Sequence, residues 1–344
     1  MFCRDAPALP TLSTLSTLET LETLETLETL IPRKQLKTIH TATELGAGDR
    51  KVCLAIGFFD GVHLGHQQII RRTVADARQQ DALALVVTFD RHPNTVVAPH
   101  RVPPLIDSLP QKLRAIEAMD PDALLLIHFD KPFSEQSGES FVRHLAGECG
   151  RIHSVCVGAD FAFGHNRSGN VGLLRRLGAE MGFAVHGIAA VSLDGKVISS
   201  TRIREAIRSG DLALAGQMLG RAYSLAARVM PGDRLGRQLG FPTANLGATG
   251  LALPPNGVYA ARALARGGAF RAVVNIGFRP TLQNPDPPLR VEAHLLDFDA
   301  DLYGEEVEVT FLDKLRGEKK FGSMNELKEQ IARDIAETRL LKTW

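Results

Sequence analysis

From Lys51 onward, apolar runs alternate with mixed polar segments. Five runs are almost continuously apolar: Val52–Ile56, Ala82–Thr88, Ala123–Phe129, Ile152–Gly158 and Phe183–Ala189. Parallel strands covered on both faces read this way, because neither side of the pleat meets water. The segments between them fit helices, at Gln67–Gln80, Leu109–Met119, Gly138–Gly147 and Gly172–Met181. Ser108 suits an N-cap, Pro110 falls in the first turn, and Pro121 follows that helix. The alternation predicts an α/β doubly wound parallel sheet, whose ligands bind beyond the carboxyl ends of the strands.

The pattern changes after the fifth strand. Arg204 to Gly220 reads as one or two helices, with Gly210 as the break. Short runs of period-two alternation follow, at Tyr223–Met230, Gly257–Leu264, Phe270–Ile276, Arg290–Phe298 and Glu305–Asp313, separated by Gly and Pro turns. They predict a small antiparallel β-barrel. The last element is a C-terminal helix, Met324 to Thr338, opened by Ser323-Met324-Asn325-Glu326 in the form of a capping box and expected to plug or flank the barrel. At the other end, Leu9 to Leu30 repeats TLS and then TLE. Leucine at every third position spirals around a helix and alternates faces on a strand, so it buries no single stripe. Residues 1–48 are therefore expected to be a low-complexity N-terminal extension, and the repeat itself to be disordered or weakly helical, in a stretch that could precede the true start of translation.

Bulk properties narrow the partners. The chain has 344 residues, enough for two domains, and a formal net charge of +1, which gives no electrostatic case for a nucleic-acid partner. Cys3, Cys53, Cys149 and Cys156 form neither a disulfide framework nor a metal-spaced pair, as expected in a reducing cytoplasm. There is no apolar run of about 18 residues, so no membrane span is expected. The oligomeric state stays open.

Candidate chemistry sits in the loops after the predicted strands. The first strand leads into Gly57-Phe58-Phe59-Asp60-Gly61-Val62-His63-Leu64-Gly65-His66, placing two imidazoles at the mouth of a helix. A helix start offers unpaired N–H groups and partial positive charge, and so attracts phosphate. Taken alone, two histidines three apart fit loop or capping roles at least as well, and a metal would need further ligands, for which His92 and His165 are available. The nucleotide reading gains from Ile198-Ser199-Ser200-Thr201-Arg202-Ile203-Arg204, a serine- and arginine-rich helix start after another strand of the same sheet. Two cationic histidines there would stabilise charge on an α-phosphate as pyrophosphate leaves. In the second half, the glycine-rich stretch Gly232 to Asn245 permits backbone approach to a phosphate, and Thr243 and Asn245 offer neutral oxygens to Mg²⁺. An ordinary barrel turn remains the alternative. Glu292, in VEAHLLDF, reads by spacing alone as a solvent-face carboxylate, with a polar site as the alternative.

GFFDGVHLGH and ISSTRIR together resemble the HxGH nucleotidylyltransferase superfamily, a Rossmann-like fold. With VGADFAFG between them, the first half closely resembles the bacterial bifunctional riboflavin kinase/FMN adenylyltransferase (FAD synthetase) family. GRQLGFPTAN, Asn275 to Thr281 and the run Glu292 to Gly304 are similar to its riboflavin kinase module. The resemblance implies an FMN adenylyltransferase domain at 49–204, a helical junction at 205–222 and a kinase barrel at 223–344. It implies catalytic roles for His63, His66, Arg204 and Glu292, the last as base toward the ribityl hydroxyl. It implies nucleotide or flavin contacts from Gly57, Phe59, Asp60, Asp160, Ser199, Ser200, Thr201, Gly240, Pro242, Thr243 and Asn245, with Thr243 and Asn245 also on Mg²⁺. The implied substrates are riboflavin, FMN and ATP, and the implied products FMN and FAD. Phe58 stands where the family has Asn, and Arg91 where it has Pro.

Overall fold

The computed structural model describes residues 36–232, 235–278 and 289–342. The first lobe runs β1 (Lys37–Ile39), β2 (Val52–Ile56), α1 (Leu64–Gln79), β3 (Leu83–Phe89), α2 (Leu109–Glu117), β4 (Ala123–Ile127), α3 (Gly138–Cys149), β5 (Ile152–Gly158), α4 (Val171–Met181) and β6 (Ala184–Ile188). These six strands form one sheet, all parallel, in the order β1-β4-β3-β2-β5-β6. β2 is central, and the two-residue period sends its side chains to both sides. Val52, Leu54 and Ile56 pack with Leu85 and Val87 under α3 and α4. Cys53 and Ala55 pack with Ala84 and Val86 under α1 and α2. This two-sided burial is what the unbroken apolar runs express.

Two boundaries differ from the sequence reading. The ordered chain reaches into the expected extension: β1 pairs with β4 at the sheet edge, and Ile39 and Ala42 are each 1% exposed. A three-residue strand is too short to show a period, yet it covers an edge that would otherwise leave N–H and C=O groups open. The Leu9–Leu30 repeat lies outside the described residues. Helix α1 starts at Leu64 rather than Gln67, so His63 is its N-cap and His66 falls in its first turn.

α5 (Ser200–Ser209) and α6 (Leu212–Leu219) follow, separated at Gly210, whose φ of +85° is a left-handed turn. Next come β7 (Ser224–Met230), β8 (Ala244–Leu246), β9 (Gly257–Ala265), β10 (Gly268–Phe278), β11 (Leu289–Leu295) and β12 (Glu306–Arg316). They close an antiparallel barrel in the order β7-β8-β11-β10-β9-β12. β8 is a strand that the glycine-rich reading did not foresee. α7 (Met324–Leu340) flanks the barrel outside β9 and β10 rather than plugging it. An ion pair at 2.9 Å between the half-buried Arg316 and the buried Asp334 fastens it to β12. Ser323 caps α7 by accepting from the Glu326 N–H, but the Glu326 carboxylate takes the Gly322 N–H, so only half of the reciprocal box forms.

The lobes share one core. Ile106, Ile198, Ile203, Met218 and Leu219 belong to the cluster that fills the barrel. α2 also docks on the barrel through polar contacts. Gln111 accepts from the Ala226 N–H at 3.0 Å and donates to Ser224 O at 3.2 Å. Arg114 pairs with Glu306 at 2.6 Å and Glu308 at 2.9 Å. No helix among the described residues is long and apolar enough to cross a membrane.

Candidate active sites

After β2 the chain turns to β3 on one side, while β5 lies on the other, so the loops at their carboxyl ends part and open a crevice. The crevice holds a cavity of about 500 Å³. Its walls bring together Gly57, Phe59, Asp60, His63 and His66 from the first loop, Asp160 from the loop after β5, and Ser200 and Arg204 from α5. Two predicted residues stand outside these walls. Ser199 serves as N-cap of α5, accepting from the Arg202 N–H at 3.2 Å, and Thr201 is exposed.

The loop is held from below. Asp60, 4% exposed, accepts from Arg204 Nη2 at 2.6 Å and from the Ile106 N–H at 3.0 Å. Ser200 Oγ donates to Asp60 O at 3.1 Å, and Arg204 Nε donates to Pro104 O at 2.7 Å. Arg221 donates to Gly61 O at 3.0 Å and forms a two-pronged pair with Asp107. Gly61 sits at φ +79°, where a side chain would be strained, and an added Cβ would press on Ile106. Arg204, expected to be catalytic, thus has Nε and Nη2 engaged within the protein, where they tie α5 to the loop.

The imidazoles stack at 3.6 Å between centroids, and His63 Nδ1 accepts from the His66 N–H at 3.4 Å. His66 also meets the edge of Phe59, and its buried Nδ1 has no hydrogen-bond partner among the described residues. Burial, helped by the positive charge of Arg221, lowers the His63 pKa to about 4. Burial, then His63 and Lys112, holds His66 well below its ordinary value. The pair was expected to be cationic; in the free protein burial, reinforced by the neighbouring cations Arg221 and Lys112, instead favours the neutral form of both rings near pH 7. The positive character of the site comes from the helix start and the buried guanidinium and ammonium groups.

Two neighbours complete the cleft beyond the residues that the resemblance implies. His92 lines the cavity, accepts from the Asn94 N–H at 3.0 Å and meets Phe58 edge-on at 4.9 Å. Phe58 thus packs against His92 at the position where it departs from the family pattern. Lys112 is buried behind the same wall. A sequence signal for it existed, since it interrupts the helical stripe Leu109, Leu113 and Ile116 with a charge.

The second site lies on the outer wall of the barrel, where register does the assembling. Asn245 on β8 stands opposite Glu292 on β11, and Glu292 stands opposite Asn275 on β10. Directly paired residues share a face, so the three form a row. Val291, Ala293 and Leu295 point into the barrel core, which sends Glu292 and His294 outward beneath α7. A cavity of about 350 Å³ lies there, lined by Glu292, Asn245, Thr243, Asn275, Phe321 and Ile331 among others. A second cavity of about 560 Å³ is lined by Arg237, Pro242, Thr243, Asn245 and the segment Asp299–Tyr303. Thr243 and Asn245 belong to both walls. Gly240, at φ +90°, lines neither cavity. Gly232 lets the chain pass Asn245, since an added Cβ would fall on its carboxamide. Arg279 and Thr281, in the stretch of kinase resemblance, lie outside the described residues.

A helix start carrying HxGH and a barrel wall presenting a carboxylate beside neutral oxygens define an enzyme with two group-transfer sites. The FAD synthetase family profile matches residues 46–202, and the riboflavin kinase profile matches residues 219–341. The bifunctional riboflavin kinase/FMN adenylyltransferase of Escherichia coli strain K12 is 36% identical over 302 residues, 88% of this chain and 95% of that protein. The like-named protein of Haemophilus influenzae is 36% identical, covering 87% and 96%. A solved structure described as a macrolide-efflux protein from Streptococcus pneumoniae superimposes with a TM-score of 0.73 at 28% identity, over 89% of this chain and 99% of that one. The chain belongs to the bifunctional riboflavin kinase/FMN adenylyltransferase family.

Proposed function

We propose that the barrel converts riboflavin and ATP to FMN and ADP with Glu292 as the base, and that the sheet lobe then joins FMN and ATP into FAD and pyrophosphate at the His63–His66 loop. In the barrel, Glu292 takes the proton of the ribityl 5′-hydroxyl as that oxygen attacks the γ-phosphorus. The observation that carries this reading is the shared wall: Thr243 and Asn245 border both the cavity holding Glu292 and the cavity beside Asp299–Tyr303. A hydroxyl in one chamber and a polyphosphate in the other would meet at those two residues. Thr243 and Asn245 would hold Mg²⁺, which spreads the charge of the transferring phosphoryl group. Among the described residues no cluster of three His, Cys, Asp or Glu could hold a metal ion. Two neutral oxygens therefore fit a cation that takes its other ligands from phosphate and water.

In the sheet lobe, alignment and charge stabilisation suffice, with no covalent intermediate. A phosphate oxygen of FMN attacks the α-phosphorus of ATP, and pyrophosphate leaves. His63 and His66 contact the phosphates from the start of α1, while Ser200, Asp160 and the backbone at Gly57 and Phe59 position nucleotide and flavin. The free buried thiols Cys53, Cys149 and Cys156 support a reducing cytoplasm as the setting, with burial pushing the Cys149 thiol up to about 12. The test separates the two by-products. Riboflavin with Mg·ATP releases ADP first, and FMN with Mg·ATP releases pyrophosphate without ADP. ADP release from FMN and ATP, or no release from riboflavin, would overturn the assignment.

A further inference from the structure

Helix α2 carries a cation on its apolar face. Leu109, Leu113 and Ile116 pack it on the sheet, and Lys112, only 4% exposed, lies in the same stripe. Burying an ammonium is costly unless its donors are met. Here Nζ donates to Phe89 O at 2.7 Å, Phe58 O at 3.3 Å and Thr88 Oγ1 at 3.4 Å, and it lies 4.6 Å from the centre of the Phe58 ring. Thr88 Oγ1 in turn donates to Phe58 O at 3.1 Å. Three acceptors match the three donors of the charged form.

The place of this cradle gives it meaning. Phe58 directly precedes Phe59 and Asp60, and Phe89 precedes the segment Asp90-Arg91-His92. Lys112 therefore joins the carboxyl ends of β2 and β3, the roots of two loops that wall the cavity. The groups facing it are Asp60 from the first loop, Asp90 and His92 from the second, His66 from α1 and Asp107 from the turn before α2. Burial brings the ammonium down to about 8, against the upward pull of Asp60, Asp107 and Asp90.

We propose that Lys112 is a positioning residue of adenylyl transfer, fastening the Phe58–Asp60 loop to the His92 loop and giving the nucleotide cleft a fixed positive floor. This rests on the sheet lobe being the adenylyl-transfer site. The test uses full-length protein and Lys112→Met, which keeps length but loses charge and donors. The FMN-to-FAD rate of the variant falls on the order of 10- to 100-fold, mainly in kcat. Its riboflavin-to-FMN rate, at a distant site, stays within about twofold. Two further readouts distinguish a charge from mere packing. The His92 imidazole, followed by NMR titration, moves to higher pH in the variant, because Lys112 adds to the lowering that burial and Arg204 impose in the native protein. In the native protein FAD synthesis declines as pH rises through about 8 while FMN synthesis does not. Should Lys112→Met not fold, that native profile decides alone: FAD synthesis flat through about pH 9 overturns the proposal. So does a folded variant with the native FAD rate, or one that loses both activities with His92 unmoved. A native protein that makes no FAD from FMN and ATP contradicts the adenylyl-transfer reading itself.

Discussion

In the sheet lobe, His63 is 6% exposed, the Asp60–Arg204 pair beneath it is buried, and the loop is braced by Ile106, Pro104 and Arg221. In the barrel, Glu292, Thr243 and Asn245 are each half-buried and stand on an outer wall. The first site is built by desolvation and cross-bracing, the second by strand register. The contrast fits the proposed roles. A site that steadies a departing pyrophosphate gains from dry, fixed donors. A base that must take a proton and pass it on gains from access to water. The contrast also says where each site is fragile: the first in its buried network, the second in its few side chains.

The largest expected effect tests the second site. Glu292→Gln lowers riboflavin phosphorylation by about 10²- to 10⁴-fold, read as FMN formed from riboflavin, while FMN-to-FAD conversion persists. An unchanged kinase rate would remove the carboxylate from the chemistry. His66→Ala lowers FAD formation on the order of 10²- to 10³-fold and spares the kinase; a normal FAD yield would leave the stacked imidazoles without a role. Asp60→Asn probes bracing rather than chemistry. It leaves Arg204 buried and uncompensated, at a cost of about 3–5 kcal/mol seen in denaturant unfolding. A native-like melt would mean that the loop is held otherwise.

Protonation supplies a milder test. With His63 at about 4 folded and near 6.5 unfolded, the unfolded chain binds the extra proton between those values. The His63 contribution to stability is therefore full above about pH 6.5, falls as pH drops toward 4, and levels below, by on the order of 3 kcal/mol. His63→Gln should remove its share of that slope, while the depressed His66 keeps its own; an unchanged slope would assign it elsewhere. The smallest effect belongs to Arg114→Ala, which removes exposed pairs to Glu306 and Glu308 and costs about 1 kcal/mol or less. A larger loss would show that these pairs, rather than the shared core around Ile106 and Met218, hold the lobes together.

The long elements were legible because burial on both faces leaves an unbroken apolar run, as in β2, and because a half-buried barrel wall alternates, as in β11. β1 and β8 were not, since three residues carry no period and partner strands define them. The residues of the first cleft were legible by type and spacing, but their state was not: the neutrality of His63 and His66 and the engagement of Arg204 depend on burial and on Pro104 and Ile106, far away in sequence. Lys112 was legible only as an anomaly in a stripe. The row Asn245, Glu292, Asn275 joins three separate segments and emerges only from register.

Two separate sites that act in sequence can be complemented by mixing two crippled proteins. Each variant, Glu292→Gln and His66→Ala, is incubated with riboflavin and Mg·ATP alone and together, and the flavins are separated by chromatography. Glu292→Gln alone should leave riboflavin largely unconverted, His66→Ala alone should stop at FMN, and the mixture should form FAD. A mixture that forms no FAD, or a single variant that has lost both steps, would contradict separate sites acting in sequence.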